Sequence, residues 1–88
     1  MRVKMGEINK KHNVNALISQ RLDAFLSDYL DKKELTLKEL CGAYDLSYSH
    51  VSQIRRGKKA LTFQIAYTLS KKCKLDLNYL AGGKKMYK

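Results

Sequence analysis

Residues 46–59, LSYSHVSQIRRGKK, decide the fold. On a helical wheel at about 100° per residue, Val51 and Ile54 fall on one side of residues 48–56. Tyr48, Ser49, Ser52, Gln53 and Arg56 cluster on the other. So narrow an apolar stripe anchors a helix to its own core only weakly, and the outward face needs another purpose. An ordinary solvated face would mix Lys with Glu, yet there is no acid from Leu46 to Leu75. Serine, glutamine and tyrosine both donate and accept hydrogen bonds, which is what reading base edges in a major groove requires. Arg55, Arg56, Lys58 and Lys59 then supply charge for phosphates.

Upstream, Tyr44-Asp45-Leu46-Ser47 leaves room for only a tight turn between two helices. That is helix-turn-helix geometry, and Asp45 is among the few non-glycine types that tolerate the left-handed conformation such a turn uses. Helix starts repeat along the chain. Thr36, Ser47, Thr62 and Asp76 are N-cap residues, and Thr36 with Glu39 makes a capping box. Each cap follows a leucine (Leu35, Leu46, Leu61, Leu75) whose partner stands five residues on: Leu40, Val51, Ala66 and Leu80. This is the spacing of the hydrophobic staple.

The first helix is expected from about Val14 to Lys32, burying Ile18, Leu22, Phe25, Leu26, Tyr29 and Leu30 at spacings of three and four. Leu37, Leu40, Cys41 and Tyr44 point inward from the second. Phe63, Ile65, Ala66, Leu69 and Cys73 are available to the core from the fourth, with Leu77, Tyr79 and Leu80 from a short fifth. Strand-period alternation and proline are both missing. The fold class predicted is therefore all-α: a compact five-helix bundle containing a helix-turn-helix, with a flexible basic N-terminal arm. The arm covers residues 1–13, the DNA-binding domain 14–83, and a frayed basic tail 84–88.

Composition agrees. Eighty-eight residues make one domain. A net charge of +10 and a pI near 9.8 point to a polyanionic partner. Cys41 and Cys73 lack zinc spacing with each other or with His12 and His50, and read as small buried residues of a reduced, intracellular protein. Residues 1–13 lack the apolar middle of a signal peptide, and nothing is apolar for long enough to span a membrane. No metal, cofactor or small-molecule ligand is evident. No nucleophile–base pair or phosphate loop suggests an enzyme.

The segment LTLKELCGAYDLSYSHVSQIRRGKK resembles the core of the lambda-repressor-like family, also called the Xre or Cro/C1 type. Thr36, Leu40, Ser47, Ser52, Ile54 and Gly57 stand at matching positions, and Leu46 and Val51 are conservative replacements. The similarity continues into LDLNYLAGG and covers about residues 17–83. The resemblance implies that the third helix enters the major groove. Tyr48, Ser49, Ser52 and Gln53 would contact bases. Thr36, Lys38, Ser47, Arg55, Arg56, Lys58 and Lys59 would contact phosphates. Leu37 replaces a frequent backbone-touching glutamine, and Arg55 a frequent glutamate, so the family's buried Arg–Glu pair is absent. Asp28 or Asp31 is the expected partner for Arg55.

The expected function is sequence-specific binding of double-stranded DNA by a small transcriptional repressor in the cytoplasm; a homodimer would form through helix five, the tail or only on DNA, with Phe63, Tyr79, Met86 and Tyr87 as candidate contacts. The rivals are an antitoxin, excision or conjugation factor with a protein partner, and a protein–protein adaptor.

Overall fold

The computed structural model describes the backbone of residues 2–88 and the side chains of residues 16–88. Five helices follow one another: α1 (Arg2–Lys33), α2 (Leu37–Ala43), α3 (Tyr48–Arg55), α4 (Phe63–Cys73) and α5 (Leu77–Leu80). Helix α1 runs from Arg2 rather than Val14. The side chains of the expected basic arm, residues 1–13, lie outside the described residues. No strand forms among the described residues, and one isolated antiparallel bridge joins Leu75 to Tyr87.

Helix α1 is the post on which the rest is built, and it packs on α2, α3 and α5. Leu22, Phe25, Leu26 and Tyr29 are buried along the stripe predicted from the sequence, against Leu40 and Cys41 of α2, Val51 and Ile54 of α3, and Ile65, Leu69 and Cys73 of α4. Both cysteines are free thiols in this core, and burial pushes both thiols up from their ordinary pKa.

All four N-caps form. The side chains of Thr36, Ser47 and Thr62 accept from the backbone N–H three residues on, and that of Asp76 from the one two residues on. Every cap residue is extended; of the leucines before them, Leu75 is in the core and Leu46 and Leu61 pack against it, whereas Leu35 is exposed, so the expected staple of α2 does not reach the core.

Three core expectations fail. Phe63 is 78% exposed, Leu77 40% exposed, and Ile18 is only half-buried and outside the core. Phe63 stands two residues before the buried Ile65, about 160° round the helix from it, on the outer side with Tyr67. Helix α5 is a single turn, and Leu80 takes its place in the core.

The tail is not frayed. The Asp76 N–H donates to the Met86 carbonyl at 2.9 Å and the Lys88 N–H to the Lys74 carbonyl at 2.8 Å. Tyr87 packs on Phe25 with ring centroids 5.4 Å apart and donates its hydroxyl to Asp28 Oδ2 at 2.7 Å. Arg21 reaches the Gly83 carbonyl at 2.6 Å, over a turn where a Cβ on Gly83 would stand 2.8 Å from the Asn78 carbonyl oxygen. Aromatic packing and backbone pairing thus hold a segment that local sequence marks as polar and basic.

Candidate nucleic-acid interface

Helix α3 is eight residues long and buries only Val51 and Ile54. Between α2 and α3 lie Tyr44, Asp45, Leu46 and Ser47, and Asp45 takes φ 58°, the left-handed conformation expected of it. The Leu46 N–H closes the end of α2 by donating to the Cys41 carbonyl at 2.8 Å. Short turn and small anchor together present the remaining face of α3 outward. Tyr48, Ser49 and Arg56 are exposed, and Ser52 and Gln53 half-buried. The Gln53 amide donates to the Ser49 hydroxyl at 3.2 Å, so these polar groups of adjacent turns are held together. His50 is half-buried on the flank.

Beyond the helix, Gly57 takes φ 78°. Its N–H donates to the Ile54 carbonyl at 2.9 Å, and the Lys58 N–H to the Gln53 carbonyl at 2.8 Å. This is a Schellman ending, and it needs a residue free of the left-handed penalty at its centre. It fixes the path on which exposed Arg56, Lys58 and Lys59 leave α3.

Arg55 behaves differently. Its Nε and Nη2 both reach Asp23 Oδ1, at 2.7 and 2.6 Å, and Nη2 lies 3.3 Å from the Ser27 hydroxyl. The partner is neither Asp28 nor Asp31. Asp23 and Ser27 are four residues apart and share the face of α1 that meets α3. Asp28 is turned about 140° away from Asp23, where it holds Tyr87 and Lys32 instead. Asp31 lies two turns further on, about 12 Å along the axis from Asp23. The i,i+4 pair of Asp23 and Ser27 was visible in the sequence, but its pairing with α3 depends on how the helices cross.

The caps are also engaged internally. The Thr36 N–H donates to Glu39 Oε1 at 2.8 Å, and its hydroxyl lies 3.2 Å from the same oxygen. The Glu39 carboxylate thus occupies the positive end of α2, where a phosphate would otherwise sit. Ser47 accepts from the His50 N–H. Lys38, exposed, lies 5.7 Å from the Tyr48 ring centroid and so joins α2 to the outer face of α3. A shallow cleft between these elements is lined by Asp23, Leu37, Tyr48, Ser52, Arg55 and Arg56.

A helix-turn-helix family model, of the lambda-repressor-like or Xre type, matches residues 26–80. The chain belongs to that family. The match spans α2 through α5 together with the last turns of α1, and so contains both helices of the motif. The family is one of DNA-binding domains, not an enzyme family, and the match supports sequence-specific DNA binding. No curated protein and no solved structure matches the chain. No helix among the described residues is long and apolar enough to cross a membrane. Among the same residues, no group of three His, Cys, Asp or Glu could hold a metal ion.

Proposed function

We propose that the protein is a small cytoplasmic transcriptional repressor that lays α3 in the major groove of duplex DNA. The observation that carries this reading is the face of α3. Two buried residues hold a helix whose hydroxyls and amide point outward, and it runs into a cationic loop with no acid to neutralise it. Tyr48, Ser49, Ser52 and Gln53 are the base-contacting set, with the Gln53 amide, steadied by Ser49, the group best suited to a bidentate contact with adenine. Lys38, Arg56, Lys58 and Lys59 hold phosphates. Thr36 and Ser47 act as caps that aim their helices, and Arg55 acts on α3 through Asp23.

Such domains commonly act in pairs on half-sites about 34–36 Å apart. Of the residues considered for a dimer contact, Met86 and Tyr87 pack within the chain, and Arg21 covers the Tyr79 ring at 4.6 Å. Phe63, stacked with the half-exposed Tyr67 at 6.0 Å, is the open one. That pair is also the surface a protein partner would use if the chain were an antitoxin, so DNA-bound stoichiometry separates the readings.

The deciding experiment is selection of bound sequences from a random duplex pool. A short enriched motif is expected, and Gln53→Ala should lose discrimination between that motif and random duplex while keeping salt-sensitive non-specific binding. An unenriched pool would end the proposal.

A further inference from the structure

The C-terminal ends of α1 and α4 and the docked tail enclose a cleft of about 350 Å³. Its wall is apolar and aromatic, made by Tyr29, Cys73 and Tyr87. Lysines stand round it: Lys32 and Lys33 from the last turn of α1, Lys72 from the last turn of α4, and Lys74 just beyond. No carboxylate lines it. Asp28 pairs with Lys32 at 3.1 Å, whereas Lys33, Lys72 and Lys74 have no ion-pair partner among the described residues.

Cations near a helix C-terminus complement its unpaired carbonyls. Three uncompensated ammonium groups around one concave wall repel each other, and they focus positive potential into the space between them. A mostly apolar cleft with a few convergent polar groups is the usual form of a small-molecule site. This cleft shares no residue with the shallow one beside α3. On α1, Tyr29, Lys32 and Lys33 lie between about 80° and 180° round the helix from Asp23, which faces α3.

We propose that this cleft binds a small anion of the nucleotide class. Its phosphates are held by Lys33, Lys72 and Lys74, and its flat ring lies on the wall formed by Tyr29 and Tyr87. The volume exceeds what an inorganic phosphate fills, and an aromatic wall accepts a base without regard to its identity. Lys33 lies over the Tyr29 ring at 5.8 Å and Lys32 over the Tyr87 ring at 4.7 Å, so a stacked base takes the place of these ammonium groups, which swing out on their flexible stems toward the phosphates.

The test is titration of the full-length, isotope-labelled chain with ATP, inorganic triphosphate and adenosine, followed by backbone amide NMR. ATP is expected to give saturable shifts at residues 29–33, 72–74 and 87, with triphosphate and adenosine each at least tenfold weaker. A Lys33→Gln, Lys72→Gln double variant should weaken ATP at least tenfold and leave the unfolding midpoint near that of the parent. Arg56→Gln, on the DNA face, should leave ATP affinity unchanged. Shifts confined to residues 48–59, absence of saturation, or triphosphate binding as tightly as ATP would each overturn the proposal.

Discussion

Arg55 sits in the last turn of α3, a position from which an unpaired guanidinium would reach a phosphate. Asp23 takes that charge within the molecule instead. The arginine side chain is 24% exposed and the aspartate 50% exposed, so water screens much of the attraction. A double-mutant cycle of Asp23→Asn and Arg55→Gln should give a coupling of about 0.5–1 kcal/mol in urea unfolding at low salt, and less at 1 M salt. A coupling of zero would mean that the pair does not hold α3 on α1. Gly57 is under a stricter demand, because its φ of 78° lies where a Cβ is penalised. Gly57→Ala should cost about 1 kcal/mol of stability, from conformation alone. The space is open, since the nearest atom to an added Cβ would be the Ser19 hydroxyl at 4.0 Å. An unchanged unfolding midpoint would show that the loop relaxes without its Schellman bonds.

At the scale of the element, each of the last four helices is short and starts in the same way. A cap oxygen satisfies an N–H that no preceding turn can reach, and before α3, α4 and α5 a leucine packs on the core. For α3, with so few buried side chains, the cap is a large share of what holds the helix. Ser47→Ala should lower stability by about 1 kcal/mol; a loss near zero in chemical denaturation would assign the start of α3 to its turn rather than its cap. These starts were legible in the sequence because capping and staple signals lie within six residues of one another. So was the outward face of α3, since periodicity alone separates Val51 and Ile54 from Ser49, Ser52 and Gln53. The partner of Arg55 and the docking of Tyr87 were not, because each joins residues more than 30 positions apart and depends on how helices cross. The exposure of Phe63 escaped for a related reason: an aromatic residue at the first turn of a helix reads as core until its neighbours fix which side faces in. Helix ends also carry strain that local sequence does not announce. Lys74 closes α4 at φ 67°, and Lys74→Gly should raise stability by about 0.5–1 kcal/mol; a lower midpoint would assign the lysine a stabilising contact there.

At the scale of the molecule, the tail and the charge set how the protein responds to solvent. The Tyr87 hydroxyl, with Lys32 beside it, holds the Asp28 carboxyl below its usual 3.8. That stability is present above pH 3.8 and is lost as pH falls through the depressed value. Burial, and then the Asp28 carboxylate, push the Tyr87 phenol above its usual 10.0, and burial does the same for Tyr29. Above pH 10.0 the unfolded chain therefore sheds phenolic protons that the folded chain keeps, and stability falls. Tyr87→Phe should flatten both limbs of the stability–pH curve, and parallel curves for variant and parent would mean that the tail is not docked.

The excess of positive charge acts through salt. If Lys38, Arg56, Lys58 and Lys59 are the phosphate contacts, as we propose, the slope of log K against log salt is about −3.6 for each chain. Lys58→Gln should reduce that slope by about 0.9 on operator and random duplex alike, since a phosphate contact carries no sequence information. Arg55 distinguishes a structural cation from a contacting one. If Asp23 keeps it on the DNA, Arg55→Gln leaves the slope unchanged and weakens operator binding by loosening α3. A fall of about 0.9 in the slope would instead show the pair opening on DNA to deliver Arg55 to a phosphate. Asp23 would then be a keeper that holds the cation only until the duplex arrives.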